Sequence, residues 1–347
     1  MTLDDIRQEL RTYDGPPISI MEVCGSHTAA ISRLGIPSLL SPAIHLLSGP
    51  GCPVCVTPTS YIDRLCDFSL QADTCVVTFG DLLRVPGSGG RTLAACRAQG
   101  GQVHMVYSPF DVLPLTRENP RTRFVFAAVG FETTTPAYAL LLQDLLENRT
   151  ENVRLFTALK TMPPVIDTLC RSGAAIDAFL APGHVCSVTG WRRFEPLAQM
   201  YHIPFAVAGF RGPELLVALH FLVKNRGRAV VKNLYPAAVP EFPSSKTEEL
   251  LHTFFEPCGA VWRGLGFIPG SGRRLRPEFA RFDAGSAGLE EDAPSNPACR
   301  CGQVLAGRIS PPQCPLYGKH CTPLSPQGAC MVSEEGSCHQ YLIHHRE

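Results

Sequence analysis

Ile18-Ser-Ile-Met-Glu-Val23 leads straight into Cys24-Gly-Ser-His27-Thr28, and a related phrase returns at Ile44-His-Leu-Leu-Ser48 before Gly49-Pro-Gly-Cys52-Pro-Val-Cys55. Each is a short apolar run, then a glycine turn, then a segment of helical pattern. An apolar run without alternation suits a parallel strand covered on both faces. Working outward, runs at 74–79 and 103–107 complete one set of strands. Runs at 124–129, 155–159, 178–180, 205–208 and 229–231 make a second. The polar stretch Asn119-Pro-Arg-Thr-Arg123 separates the sets. This predicts an α/β protein of two lobes with parallel sheets, residues 1–118 and 119–238. After Pro236 the texture changes to a Pro-rich 237–245, a short helix, a Gly/Arg stretch at 263–276 and a polar loop at 283–297. Residues 239–347 read as a third, Cys-rich region.

Composition narrows the function. Lys+Arg and Asp+Glu are both 31 in 347 residues, which argues against a nucleic-acid binder working through a basic surface. With 45% hydrophobic and 18% charged residues, the chain is not disordered throughout. No run approaches the roughly 18 apolar residues of a membrane span. The acidic, polar opening Met1-Thr-Leu-Asp-Asp does not resemble a secretory leader, so a cytoplasmic location is expected. In that reducing compartment, 15 cysteines point to metal ligands or redox chemistry rather than structural disulfides.

Three groups of cysteines carry chemistry. Cys24 ends a strand and opens a helix, where the helix dipole lowers a thiol pKa and makes a nucleophile or soft-metal ligand. His27 offers a second ligand or a proton, and Thr28 lies beside it. Taken alone, a buried Cys24 with Ser26 as a helix cap is the commoner outcome. Cys52-Pro-Val-Cys55 also joins strand to helix, the arrangement of dithiol–disulfide catalysts. No second Cys-x-x-Cys exists to complete a zinc site, which favours redox or soft-metal chemistry. The tail holds Cys299, Cys301, Cys314, Cys321, Cys330 and Cys338; from Cys301 the gaps are 12, 6, 8 and 7 residues. Such wide gaps fit zinc modules badly and suit an iron–sulfur cluster held from irregular loops. Glu132 in Gly130-Phe-Glu-Thr-Thr134 and His184 in Pro182-Gly-His-Val185 are weaker cleft candidates. The glycine-rich Val85-Pro-Gly-Ser-Gly-Gly-Arg91 lacks the Gly-Lys-Ser/Thr of a phosphate loop.

Read together, these segments, with Phe79-Gly-Asp-Leu-Leu-Arg-Val-Pro-Gly87, Trp262-Arg-Gly-Leu-Gly266 and Gly328-Ala-Cys-Met-Val-Ser-Glu-Glu-Gly-Ser-Cys338, resemble the HypD family of [NiFe]-hydrogenase maturation factors. The resemblance implies two Rossmann-like lobes facing a cleft and a C-terminal domain with a [4Fe-4S] cluster. It implies a scaffold for assembling Fe(CN)2(CO), rather than a free-standing enzyme, acting with the small chaperone HypC and, transiently, the cyanide donor HypE. Cys24 would bind the transient iron that carries cyanide and CO, with His27 beside it. Cys52 and Cys55 would handle thiol redox. Cys301, Cys314, Cys321 and Cys338 would hold the cluster, with Cys330 a fifth candidate. Cys299 and Cys186 have no assigned task. The chain departs from the family pattern after Phe210, where it reads Arg-Gly-Pro-Glu, and after Pro236, where it reads Ala-Ala-Val. The competing expectation is an iron–sulfur-dependent thiol–disulfide oxidoreductase acting on protein disulfides. A structural zinc protein is a third.

Overall fold

The computed structural model describes residues 1–289 and 296–344. The expected α/β class is present, and so are all nine expected strands, with ends shifted by a few residues. They are β1 (Ile18–Glu22), β2 (Ile44–Ser48), β3 (Thr74–Thr78), β4 (Val103–Met105) and β5 (Arg123–Gly130), then β6 (Val153–Lys160), β7 (Ala178–Pro182), β8 (Phe205–Ala208) and β9 (Val231–Asn233). Two more, β10 (Phe255–Trp262) and β11 (Gly266–Leu275), form an antiparallel hairpin where only a Gly/Arg stretch was expected. Pro257 and Gly259 mask the first strand, and Gly266 and Gly270 the second. The turn is made by Gly264 and Gly266, at φ of 73° and 77°.

The strands assemble into two sheets, ordered β2-β1-β7-β8-β9 and β10-β11-β6-β5-β3-β4. The first is parallel throughout, and the second is parallel from β6 to β4. This corrects the expected division at residues 118/119. The chain leaves the first sheet after β2, builds the core of the second, and returns at β7, where Ile20 pairs with Ala178. Parallel strands are joined by crossovers of roughly a dozen residues or more, and a longer crossover can carry the chain through another sheet first, so neighbours in the sheet need not be neighbours in sequence. The expected third region is not separate either. The β10–β11 hairpin extends the second sheet, with Arg273 opposite Leu159. Tail residues Val304, Leu305 and Met331 share one core with Met21, Phe179, Phe131 and Trp262. The polar loop expected at 283–297 lies partly outside the described residues.

β1 shows why the strands are apolar throughout: Ile18, Ile20 and Met21 are all buried, because helices cover both faces of the sheet. The helix Gly212–Lys224 packs Leu215, Leu219 and Leu222 with Ile18 and Leu180 on one side. Val23, Phe179 and Val207 pack with Ile166 and Val185 on the other. Among the described residues no helix is long and apolar enough to cross a membrane.

Candidate functional site

The carboxyl ends of β1, β2, β7 and β8 share one edge of the first sheet, where the crevice of an open α/β sheet forms. Cys24 leaves β1 in extended conformation, φ −148° and ψ 118°, and is the N-cap residue of the helix Gly25–Arg33. Ser26 does not cap this helix; its hydroxyl donates to Glu335 Oε1 at 2.8 Å. Gly51 from the loop after β2 lies directly on the Cys24 backbone, where a Cβ would strike the Cys24 nitrogen and Cα. Its carbonyl accepts the Gly25 N–H at 3.0 Å. The two cysteine loops therefore stack backbone to backbone.

Burial, not the helix dipole, governs the Cys24 thiol. It is 7% exposed, and desolvation pushes its pKa up to about 12, against the lowering expected from a helix N-terminus. Glu22 has a role not read from the sequence. It is buried, accepts the Cys24 N–H at 3.0 Å on one oxygen and the Thr28 hydroxyl on the other, and burial lifts its pKa to about 8. Thr28 thus orients Glu22.

His27 lies within hydrogen-bond distance of the Gly209 and Ala208 carbonyls, at 3.1 and 3.3 Å from Nε2. Carbonyls only accept, so Nε2 carries the proton. Nδ1 is then a bare acceptor, buried with no partner among the described residues. Burial lowers the imidazole pKa to about 4, which keeps it neutral. Phe210 stands between two imidazoles, 4.7 Å from His27 and 4.2 Å from His184, ring centre to ring centre. This aromatic follows β8, in a stretch that motif spacing did not single out.

Cys52 and Cys55 are joined as a disulfide, their Cα atoms 5.2 Å apart. Both are buried, at 3% and 0% exposure. Glu132 belongs to the other sheet, at the end of β5. It is 3% exposed, one oxygen accepts the Met162 N–H at 2.8 Å, and the other has no partner among the described residues. Burial raises its pKa. Its charge reaches Cys186, which also feels Cys24; burial drives this second cleft thiol upward too. Cys186, without a task in the sequence, is buried in the helix Gly183–Thr189 that follows β7.

The segment 328–338 joins these parts. Ser333 donates to Asp81 Oδ2 at 2.7 Å, and Glu335 accepts from Ser26. Cys55 Sγ is 3.9 Å from the Ala329 carbonyl oxygen, one residue before Cys330. Cys299, Cys301, Cys314, Cys321, Cys330 and Cys338 line one small space with Tyr317 and Met331. Cys301 Sγ and Cys330 Sγ are 2.8 Å apart. Hydrogen bonding from Cys299 and Cys330, helped by the charge of Arg263, holds the Cys301 thiol well below its usual pKa. Among the described residues no three His, Cys, Asp or Glu side chains group closely enough for a single ion. The donor set is nonetheless all thiol, with no carboxylate or imidazole. Such a set fits an iron–sulfur cluster, a larger object whose thiolates stand further apart, better than a hard cation. Cys299 belongs to this set, although nothing in its spacing distinguished it.

A family sequence profile matches the chain over residues 1–345, that of HypD, described as "Hydrogenase formation hypA family". The chain belongs to the HypD family. Three relatives show how even the match is. "Hydrogenase maturation factor HypD" of Cupriavidus necator is 38% identical over 345 residues, 96% of this chain and 90% of the relative. The protein of that name in Escherichia coli K12 is 40% identical over 328 residues, 93% and 88% of the two chains. That of Azotobacter vinelandii is 39% identical over 344 residues, covering 94% and 89%. The HypD match thus takes in both cysteine loops and the thiol-rich tail.

Proposed function

We propose that this chain is a hydrogenase maturation factor, as the names of its relatives describe, and that it holds an iron ion at Cys24 while that iron acquires cyanide and CO. The observation that carries the reading is the meeting, at one sheet edge, of a buried thiol, an unpartnered imidazole nitrogen and a disulfide. Cys24 keeps its proton until a soft cation displaces it, because metal binding and thiol deprotonation are coupled. His27 Nδ1, one helical turn on, is a second ligand or the acceptor of that proton. A small HypC-type chaperone supplies a further cysteine, and a HypE-type protein brings cyanide as a thiocyanate.

The redox balance assigns the Cys52–Cys55 pair. Cleaving R–S–CN to R–SH and cyanide consumes two electrons. The pair supplies them by passing from dithiol to disulfide: one proton goes to the donor sulfur and one is released as cyanide binds iron. Restoring the dithiol takes two electrons and two protons. The tail thiols, Cys301, Cys314, Cys321 and Cys338 with Cys330 in reserve, hold a [4Fe-4S] cluster, which when bound supplies one-electron reducing equivalents. Regenerating the dithiol needs a reducing compartment, which favours the cytoplasm as its location. Cys24 with His27 weighs against action on protein disulfides, because thiol–disulfide exchange needs only the Cys52–Cys55 pair.

The test is anaerobic co-expression with the HypC-type partner, followed by metal analysis and infrared spectroscopy. Iron beyond one cluster per chain, with cyanide and CO stretches that vanish in Cys24→Ala, is the expected result. The same bands in Cys24→Ala would remove Cys24 from the role.

A further inference from the structure

Among the described residues Arg263 is a buried cation without a counter-charge. It follows Trp262 at the turn between β10 and β11 and is 4% exposed. Its backbone N–H donates to the Val56 carbonyl at 2.9 Å, and its Nε donates to the Thr57 carbonyl at 2.7 Å. Both ends thus grip the two residues that follow Cys55. One residue on, Gly264 presses on Gly302 so closely that a Cβ on either would strike the other's backbone. That contact fixes Arg263 beside Cys301. Nη2 is buried without a hydrogen-bond partner, and among the described residues Arg263 joins no ion pair.

A buried guanidinium with no anion is costly, so an arrangement that keeps one has an anion to answer it. The candidates here are sulfurs. The guanidinium charge acts on Cys301, and the tail thiols carry negative charge whenever they ligate metal. The same side chain touches the strand–helix loop of Cys55 through the Thr57 carbonyl.

We infer that Arg263 is a positioning residue that sets the reduction potential of the tail cluster, its fixed positive charge favouring the more negative, reduced state. This rests on the cluster reading above. Reduction adds one electron to the cluster from a low-potential one-electron carrier. The hydrogen bonds to Val56 and Thr57 hold that charge in register with the disulfide loop, so the two redox groups share one electrostatic anchor.

The full chain and its Arg263→Gln and Arg263→Lys variants, purified without air and reconstituted with iron and sulfide, are titrated with dithionite and followed by EPR and visible bleaching. Arg263→Gln should shift the reduction equilibrium at least tenfold toward the oxidised cluster, which is 59 mV for a one-electron couple. Arg263→Lys, which keeps the charge, should stay within threefold of the unsubstituted chain. A cluster that assembles only with Arg or Lys at this position also supports the inference. Equal midpoints in the Gln variant and the unsubstituted chain overturn it, and so does loss of the cluster in both variants. Failure of the unsubstituted chain to assemble any cluster is a separate result: it removes the cluster reading, and the inference falls with it.

Discussion

Cys55 Sγ stands 3.9 Å from the carbonyl oxygen of Ala329, whose peptide bond leads into Cys330. The disulfide loop and the thiol-rich tail, 274 residues apart in sequence, are thus in contact at the backbone of the tail's short helix Ala329–Val332. This contact orders the chemistry. The pair lies between Cys24 on one side, through the stacked Gly51 backbone, and the tail thiols on the other.

Replacing Cys55 by Ser leaves Cys52 without its partner. Serine is close to cysteine in size, so folding should survive, and the tail should keep its thiols. Co-expressed with the HypC-type partner, Cys55→Ser should show the visible absorption of the cluster at its usual intensity but no cyanide stretch. Undiminished cyanide bands would mean that the electrons come from elsewhere.

The tail thiols separate by role in the same assay. Cys314→Ala or Cys321→Ala should abolish the brown chromophore, because each removes one of the four thiols assigned to the cluster; colour kept in either variant would bring Cys330 in as its replacement. Cys299→Ser should retain it, since Cys299 lies outside those four. A colourless Cys299→Ser variant would move Cys299 into the ligand set and one of the others out.

Much of this was legible in the residues and some was not. The nine strands were readable because Ile18, Ile20 and their equivalents are buried on both faces, which leaves an unbroken apolar run. Cys24, Cys52 and Cys55 stood out because thiols at strand–helix junctions are informative wherever the strands go. Sheet membership was hidden: nothing local marks Ile20 as the neighbour of Ala178. The hairpin was hidden by its own Pro and Gly residues. Burial was the second blind spot. The helix dipole at Cys24 follows from sequence, but the burial that outweighs it comes with the Gly51 loop and Glu335 packed against the Cys24–Gly25 backbone.

Gly51→Ala tests that closure. The added Cβ has backbone, not a yielding side chain, in its way, so one of the two cysteine loops must move. Overpacking of this kind costs about 1–3 kcal/mol, and chemical denaturation should show a loss in that range. The Cys24 thiol, no longer sealed, should react faster with an alkylating reagent in the native state. A variant of native stability and native alkylation rate would mean the loops are not as tightly stacked as described.

Glu132 predicts a pH dependence that reaches the other sheet. Burial raises its folded pKa above the ordinary 4.5, so below 4.5 the folded and unfolded chains bind this proton equally. As the pH rises past 4.5 the unfolded chain releases the proton first, the folded state holds it, and stability falls until the folded pKa is passed. The slope for one such group is at most about 1.4 kcal/mol per pH unit. Glu132→Gln keeps an oxygen for the Met162 N–H and cannot ionise. In metal-free protein, the stability of the variant relative to the unsubstituted chain should therefore increase as the pH is raised from 5 toward 8. Urea unfolding at several pH values measures it. A stability difference that stays constant over this range would show that Glu132 titrates as it does in water, and that the orphaned oxygen reaches solvent.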